Sequence, residues 1–363
     1  MVKGDTRMNE KVLVAMSGGV DSSVTALLLK EQGYDCVGAT MKLFSPGDVT
    51  PGLQRSCCNP EEQLLAQSVA DQLGIPFSIL DFSDEFQHNV IDYFIRTYLE
   101  GGTPNPCVEC NRTMKFSALY QAGRQLGCQK IATGHYARIT QSPGGRWLLS
   151  EAEDGSKDQT YVLWSLTQEQ LANTLFPLGG LKKSEVRAIA EANGFCNAAR
   201  RDSQDICFVP DGDYVSFIRR RTGMTFPDGN FVDRDGNILG KHGGIVHYTV
   251  GQRKGLGIAF GKPTYVCGKD PQTNTVLLGG NEDLFSRELT AHGINLIALP
   301  HIDAPLRVQA KIRYKAAPAD ATVEQTDEDT LRVIFDQPQR AISKGQSVVL
   351  YDGADVIGGG IIA

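Results

Sequence analysis

The chain has 363 residues, which is long for one ordinary domain, so two or three domains are expected. Hydrophobic residues make up 41% and charged residues 21%, as in soluble globular proteins, and no apolar run approaches the roughly 20 residues that span a bilayer. The net charge of −6 argues mildly against nucleic-acid binding, although a basic face can lie on an acidic protein.

The first half of the chain alternates short apolar runs with helical patterns. In chain order, strands are predicted at 12–16, 36–41, 77–80 and 130–133, and helices at 20–32, 61–73, 85–99 and 113–126. Strands that alternate with helices predict a parallel, doubly wound α/β sheet. Ligands of such sheets bind at the carboxyl ends of the strands.

The pattern changes after about residue 200, where glycine-rich turns such as PDGN, DRDGN and KHGG crowd together. From about residue 287, short alternating runs such as RVQAKIRY, TLRVIF and QSVVLYDG predict antiparallel strands of a small barrel or sandwich. We therefore expect an α/β catalytic domain at 1–208, a small central domain at 209–284 and a C-terminal β domain at 285–363.

Nine cysteines, an odd number, do not form the even framework of a short secreted protein. The N-terminus has no apolar core of a secretory signal. We expect a cytoplasmic protein without membrane association, in which clustered cysteines serve metal or redox chemistry.

The strongest local motif is AMSGGVDSS, from Ala15 to Ser23, between the first strand and the first helix. Its two glycines let backbone N–H groups approach an anion, and the helix N-terminus adds partial positive charge. The motif lacks the Gly-Lys-Ser/Thr ending of a Walker A loop and is not G-x-G-x-x-G. Asp21 beside phosphates makes sense mainly if it holds Mg²⁺. Glycines that serve only a strand–turn–helix geometry are the alternative, but the string is specific and resembles the PP-loop of ATP pyrophosphatases.

A second motif, ATGHY, follows the fourth predicted strand and places Gly134 and His135 at the same sheet edge as the phosphate loop. Met41 ends the second strand, where an adenine would lie. Taken alone, the histidine would be a helix cap and the methionine a core residue.

Two cysteine motifs follow. TPNPCVECN lies between two predicted helices, so its thiols would stand just ahead of a helix N-terminus, which lowers a thiol pKa. A zinc knuckle is the alternative, but a second C-x-x-C is missing. DSQDICF carries Cys207, which alone would pass for a core cysteine. Two thiols far apart in sequence suit a persulfide carrier and its partner.

Seven strings occur in order over almost the whole chain: SGGVDSS, TPNPCVECN followed by MKF, ATGHYAR, KDQTYVLW, DSQDICF, GQRKGLG and IRYKA. With them the chain resembles the bacterial tRNA-specific 2-thiouridylases (MnmA/TrmU type) of the PP-loop ATP pyrophosphatase superfamily. The resemblance implies a PP-loop domain, a central domain and a C-terminal antiparallel β-barrel that binds tRNA. It also implies ATP-dependent 2-thiolation of the wobble uridine (position 34) in tRNAs for Lys, Glu and Gln.

The same resemblance assigns residues. Cys110 is implied as the nucleophile and Cys207 as the persulfide carrier. The implied ATP site comprises Ala15, Met16, Ser17, Gly18, Gly19, Val20, Asp21, Ser22, Met41 and Gly134. The implied positions for tRNA and the target base are Asn105, Pro106, Cys107, His135, Lys157, Asp158, Gln159, Arg313, Tyr314 and Gln346. ATP, Mg²⁺ and a sulfur donor such as a cysteine desulfurase or a sulfur-relay protein complete the expectation.

One position departs from the family, because many members carry Asp where this chain has Cys107. Any general-base role of that Asp is therefore in doubt here. A rival hypothesis makes Cys107, Cys110 and Cys207 ligands of an iron–sulfur cluster with one open iron. The adjacent Cys57 and Cys58 receive no role.

Two other function classes compete. A PP-loop also serves ligases that form amides or amidines, but these need no thiol pair. A non-catalytic RNA-binding module that senses ATP is the other, and the complete phosphate loop and the two thiol motifs argue against it.

Overall fold

A computed structural model describes residues 10–44, 60–200, 206–258 and 261–363. Its α-helices are α1 (Val20–Glu31), α2 (Pro60–Leu73), α3 (Ser83–Phe86), α4 (Asp92–Leu99), α5 (Pro106–Glu109), α6 (Leu119–Gln125), α7 (Gln168–Ala172), α8 (Lys183–Ala192) and α9 (Tyr214–Thr222). Two π-helical stretches, Gln87–Ile91 and Cys110–Ala118, join α3 to α4 and α5 to α6. Short 3₁₀ turns lie at Thr160–Val162, Ile245–His247 and Glu282–Leu284.

The strands are β1 (Lys11–Ala15), β2 (Asp35–Lys42), β3 (Phe77–Asp81), β4 (Lys130–Ala132), β5 (Arg138–Gln141), β6 (Trp147–Ser150), β7 (Thr174–Leu175), β8 (Gly229–Val232), β9 (Ile238–His242), β10 (Tyr265–Asp270), β11 (Thr275–Gly279), β12 (Phe285–Leu296), β13 (Leu306–Lys311), β14 (Ala319–Asp327), β15 (Thr330–Arg340), β16 (Ser347–Asp352) and β17 (Asp355–Ile362). None of the described helices is long and apolar enough to cross a membrane.

The described residues form two compact units. Unit 1 draws on Met1–Val90, Cys107–Asp213 and Ala354–Val356, and unit 2 on Ile91–Pro106, Tyr214–Gly353 and Ile357–Ala363. Most of the segments expected as central and C-terminal domains falls in unit 2, whereas 209–213 and 354–356 belong to unit 1.

Unit 1 contains a five-stranded parallel sheet in the order β3-β2-β1-β4-β7, which confirms the predicted fold class. Val12 and Val14 of β1 join a core cluster with residues of α1, α2 and α8. Leu13 points to the opposite face because side chains alternate along a strand. There it meets Gly123 of α6, where an added Cβ would lie 3.1 Å from a Leu13 methyl carbon. Helices thus pack on both faces of the sheet.

Unit 2 contains a four-stranded sheet in the order β10-β11-β8-β9 and an antiparallel barrel. The barrel runs β12-β15-β14-β13-β16-β17 and closes where β17 pairs with β12. Closure pairs the first and last strands of the barrel with each other. The C-terminal β-barrel is therefore confirmed.

The helix at the first predicted cysteine motif, TPNPCVECN, begins earlier than predicted. The sequence pattern placed its start near residue 113, but the chain is helical from Pro106 onward. Proline is favoured at the first helical position, where its missing N–H costs no hydrogen bond. Cys107 and Cys110 therefore lie inside the helical stretch and not ahead of it.

The barrel core generates the first prediction. Phe335 of β15 is 1% exposed within the barrel cluster, so Phe335→Ala should lower the free energy of unfolding by about 3–5 kcal/mol. Phe285→Ala is the matched control, because that ring is 45% exposed. Urea unfolding followed by circular dichroism measures both, and equal losses would contradict the assignment of Phe335 to the core.

Candidate functional site: the phosphate loop and the two thiol segments

The phosphate loop joins the end of β1 to the start of α1 in unit 1. Gly18 has φ +78°, a left-handed conformation that glycine adopts without strain. An added Cβ there would lie 2.4 Å from the backbone oxygen of Glu62 on α2. Both features require glycine, so the first glycine of the motif is explained by geometry as well as by anion binding.

Serine hydroxyls fasten the loop internally. The Oγ atom of Ser22 accepts the N–H of Ser17 at 3.2 Å and donates to the Gly19 carbonyl at 2.9 Å. Gly19, the N-cap of α1, has no side chain with which to cap the first-turn N–H groups. These groups and the helix dipole therefore favour an anion at this end of the helix.

A residue that the sequence analysis missed holds the loop from outside. The amide nitrogen of Asn197 donates to the Gly18 carbonyl at 2.8 Å and to Ser23 Oγ at 2.9 Å. Asn197 is fully buried. Nearby, Arg200 forms a two-pronged ion pair with Glu62, at 2.8 and 2.6 Å. Residues 197–200 are thus held against the phosphate loop and α2.

Asp21, in the first turn of α1, joins two other segments. Both of its carboxylate oxygens accept hydrogen bonds from Lys183 Nζ at 2.7 Å, and one also accepts from the Tyr136 hydroxyl at 2.8 Å. The Lys183 side chain is only 9% exposed. Neither partner was predicted: Tyr136 lies in the ATGHYAR string without an assigned role, and Lys183 lies 162 residues from Asp21.

Gly134, after β4, lies against the same turn of α1. A Cβ on it would stand 2.9 Å from the Asp21 carbonyl carbon and 3.0 Å from the Ser22 nitrogen. This confirms that ATGHY and the phosphate loop share one sheet edge. Met41, half-buried near the end of β2, lies on a strand that neighbours β1 at that edge.

His135 is buried, although the resemblance places it among the tRNA positions. Its Nδ1 atom lies 2.6 Å from Thr133 Oγ1 and its Nε2 atom 3.4 Å from Lys115 Nζ. Burial, reinforced by the Lys115 ammonium, holds the pKa of His135 well below its usual range. The ring is therefore neutral in the folded protein at neutral pH.

The helical stretch with the first two cysteines starts at Pro106. Cys107 in its first turn is exposed, whereas Cys110, the first residue of the π-helical stretch, is half-buried. π-Helical turns are frequent at functional sites. The buried Asn111 side chain donates to the Val162 carbonyl at 2.8 Å and so ties this stretch to the KDQ segment.

The KDQ segment, Lys157 to Gln159, is packed largely by its own hydrogen bonds. Asp158 accepts the Thr160 hydroxyl at 2.6 Å, and the Gln159 side chain accepts the Tyr136 N–H at 2.9 Å. Lys157 is half-buried.

Cys207 is half-buried in a turn of unit 1. Phe208 beside it is 1% exposed and meets the Phe86 ring edge-on at a centroid distance of 5.7 Å. That contact anchors the turn. The preceding residues of the DSQDICF string, 202–205, and the pair Cys57 and Cys58 lie outside the described residues.

The remaining predicted positions belong to unit 2: Asn105, Pro106, Arg313, Tyr314 and Gln346. Arg313 and Tyr314 are exposed in the turn after β13, where Arg313 donates to the Arg340 carbonyl at 3.0 Å. Gln346 donates its side-chain amide to the Thr103 carbonyl at 2.9 Å.

Three family models match the chain in order. They are described as a tRNA methyl transferase HUP domain (residues 10–211), a tRNA methyl transferase PRC-barrel domain (216–280) and an aminomethyltransferase beta-barrel domain (286–362). The tRNA-specific 2-thiouridylase MnmA of Clostridioides difficile is 53% identical over 98% of this chain and 98% of its own length. That of Acetivibrio thermocellus is 51% identical over 97% of this chain and 99% of its own.

The chain belongs to the tRNA-specific 2-thiouridylase family.

As a member of this family the chain carries the fold and the PP-loop of an ATP-using enzyme. Asn197, Lys183 and Tyr136 support the loop. No local sequence signal marks Asn197 or Lys183, because each contacts the loop from a helix or turn more than 150 residues away.

The close approach of Gly134 to α1 yields a prediction. Gly134→Ala should push the first turn of α1 aside and weaken ATP binding by about tenfold or more, or roughly 1.4 kcal/mol. Gly180→Ala is the control, because a Cβ there meets nothing within 4 Å. Calorimetric titration with a non-hydrolysable ATP analogue measures both. Unchanged affinity of the Gly134 variant would contradict the proximity argument.

The buried His135 yields a second prediction. The pKa of His135 is lower in the folded chain than in the unfolded chain. Below about pH 6.5 the unfolded chain therefore binds a proton at this histidine and the folded chain does not. The free energy of unfolding thus falls as the pH drops through that value. This site contributes a slope of up to about 1.4 kcal/mol per pH unit.

His135→Gln should flatten the fall in the free energy of unfolding between pH 6.5 and 5. Urea unfolding at each pH measures the slope. His301→Gln serves as the control because that ring is exposed, and an equal flattening there would refute the burial argument.

Proposed function

We propose that this chain is an ATP-dependent tRNA sulfurtransferase that replaces O2 of the wobble uridine (position 34) with sulfur in tRNAs for Lys, Glu and Gln. The observation that supports it best lies in unit 1, where a chain of hydrogen bonds connects the phosphate loop with the helix of Cys110. The Asp21 carboxylate accepts the Tyr136 hydroxyl, the Gln159 side chain accepts the Tyr136 N–H, and Asn111 of the cysteine helix donates to the Val162 carbonyl three residues after Gln159. Nucleotide activation and thiol chemistry in one compact unit fit sulfur transfer better than methyl transfer.

ATP is the activating substrate in this proposal. The loop from Ala15 to Ser22 takes the phosphates at the N-terminus of α1, and Met41 and Gly134 lie towards the nucleotide at the same sheet edge. The uracil O2 attacks the α-phosphate and pyrophosphate leaves. An unreactive carbonyl oxygen thereby becomes part of a good leaving group, AMP.

Mg²⁺ is proposed to enter with ATP as the counter-ion of its phosphates. The Asp21 carboxylate, expected from the sequence to hold it, is engaged by Lys183 and Tyr136. In the described part of the chain, no three His, Cys, Asp or Glu side chains are grouped as a metal site. Asp21 as it stands is therefore paired with protein donors, and Cys107, Cys110 and Cys207 remain the ligands that the rival iron–sulfur hypothesis names.

Sulfur arrives as a persulfide on Cys207, loaded by a cysteine desulfurase or a sulfur-relay protein. Its terminal sulfur attacks C2 and AMP leaves, while Cys110 attacks the inner sulfur of Cys207 and breaks the S–S bond of the persulfide. The two thiols supply the two electrons that reduce the transferred sulfur, and a Cys110–Cys207 disulfide remains. A second route first releases free sulfide, which then attacks C2. In both, an external thiol reduces the disulfide.

The tRNA is proposed to meet Asn105, Pro106 and Cys107 at the target base, and Arg313 and Tyr314 on the barrel. His135, Lys157, Asp158, Gln159 and Gln346 complete the set that the resemblance implies. Opening a single-stranded anticodon loop to present the base costs about a few kcal/mol. The matched ranges 10–211, 216–280 and 286–362 support a division into domains at 1–208, 209–284 and 285–363. The proposed location is the cytoplasm.

The thiol assignments predict a clear pattern. Cys110→Ser and Cys207→Ser should each abolish formation of 2-thiouridine while tRNA affinity stays within about twofold, because neither change removes a charge. Cys196→Ser, at an exposed thiol without an assigned role, is the control. Mass spectrometry of tRNA nucleosides after incubation with ATP, Mg²⁺, cysteine and a cysteine desulfurase, which delivers the persulfide sulfur, measures the product.

The same assay, run with metal-free and with iron–sulfur-reconstituted protein, separates the two sulfur chemistries. Activity of the metal-free enzyme that survives Cys107→Ser supports the persulfide. Activity that appears only after reconstitution and needs all three cysteines would replace the persulfide by a cluster. Substantial thiolation by either Cys110→Ser or Cys207→Ser in the metal-free enzyme would overturn the scheme.

A further inference from the structure

Two side chains from distant parts of unit 2 converge on three consecutive backbone carbonyls. Lys269 of β10 donates to the Gly102 carbonyl at 3.3 Å. Gln346 donates to the carbonyls of Thr103 and Pro104 at 2.9 and 3.4 Å. The segment Gly102–Pro104 leads directly into Asn105 and Pro106, and so into the helical stretch with Cys107 and Cys110.

The side-chain ammonium group of Lys269 donates hydrogen bonds to backbone carbonyl oxygens. Besides Gly102, it donates to the Tyr248 carbonyl at 2.8 Å, and Tyr248 is itself buried against Phe231 and His242. Burial lowers the pKa of Lys269 to about 8, and among the described residues no carboxylate contributes to its electrostatics. The carbonyls of Gly102 and Tyr248 thus hold a half-buried ammonium group in place.

The backbone of Gln346 is itself held by hydrogen bonds to the last strand of the barrel. Its own carbonyl accepts the Ile362 N–H at 2.8 Å, and the Gly345 N–H donates back to the Ile362 carbonyl at 2.8 Å, both at the end of β17. One residue earlier, the Lys344 carbonyl accepts the Thr103 N–H at 2.7 Å. Barrel residues therefore both donate hydrogen bonds to the backbone of this segment and accept one from it.

We propose that Lys269 and Gln346 form a carbonyl clamp on Gly102–Pro104 and act as positioning residues of the thiolation reaction, which rests on the proposed function. By fixing this segment, the clamp sets where Asn105 and Pro106 present the target base and where the cysteine helix begins. Gln346 then acts through the segment, because its amide nitrogen donates to the carbonyls of Thr103 and Pro104.

The test uses the full chain with Lys269→Met, which keeps the aliphatic stem and removes the donor, and Gln346→Ala. Lys241→Met and Gln337→Ala are the matched controls at exposed positions of unit 2. Three quantities are measured: hydrogen exchange of the Thr103 amide, the dissociation constant for tRNA, and the single-turnover rate of thiolation at saturating tRNA.

Both clamp variants should speed exchange of the Thr103 amide at least about tenfold. They should also slow thiolation by about tenfold to a hundredfold, because a displacement of about 1 Å costs that much. The tRNA dissociation constant should stay within about twofold. The double variant should be hardly slower than the worse single variant, since both residues hold one segment. Lys269→Arg, which keeps the donor, should recover part of the rate if Lys269→Met proves too unstable to assay.

Unchanged Thr103 exchange in both variants would overturn the clamp. A weaker tRNA affinity with an unchanged single-turnover rate for Gln346→Ala would overturn the positioning role and make Gln346 an RNA contact. If the wild-type protein forms no 2-thiouridine at all, the proposed function fails, and with it the role in thiolation. Exchange of the Thr103 amide would still report on the clamp by itself.

Discussion

The ion pair between Asp21 and Lys183 is the contact on which the nucleotide site depends. A carboxylate in the first turn of α1 would by itself repel the phosphates that the helix N-terminus attracts. Lys183 cancels that charge with two hydrogen bonds of 2.7 Å, and it does so from α8, in a pocket where its own side chain is 9% exposed. A Walker A loop carries its lysine within the loop, whereas here the cation comes from a distant helix. Loss of either partner would leave the other charge poorly solvated.

From Asp21 a chain of contacts continues through unit 1 towards the thiols. The Tyr136 hydroxyl donates to Asp21, and its backbone N–H is held by Gln159. Three residues after Gln159, the Val162 carbonyl accepts the Asn111 side chain, next to Cys110. Asn197 adds a contact with the loop from the segment 197–200. Hydrogen bonds thus connect the phosphate loop and the cysteine helix within unit 1.

The sequence was informative where function depends on consecutive residues, and silent where it depends on residues far apart. The string SGGVDSS predicted the strand, the turn and the helix, because glycine geometry and helix polarity are local properties. Lys183 and Asn197 could not be found this way, since nothing in their own neighbourhoods reports a partner more than 150 residues away. The start of the cysteine helix was predicted too late. The pattern predicted it near residue 113, whereas Pro106 is its first residue. For Gln346 the resemblance supplied a role towards RNA, and only the folded chain reveals the carbonyls that its amide holds.

The boundary between the two compact units falls between Pro106 and Cys107, within the first turn of the helix that carries Cys110. The residues proposed to meet the target base therefore belong partly to the unit of the barrel, and the thiols to the unit of the phosphate loop. Proline suits such a boundary, because its fixed φ starts a helix and it needs no hydrogen-bond acceptor for a missing N–H. Gln346 of the barrel hydrogen-bonds to the segment Gly102–Pro104 before the helix, and within the helix Asn111 hydrogen-bonds to Val162 of unit 1. The backbone is therefore restrained both before and after the first turn of this helix. A change in the barrel that loosens Gly102–Pro104 is therefore expected to act first on the backbone that leads into this helix.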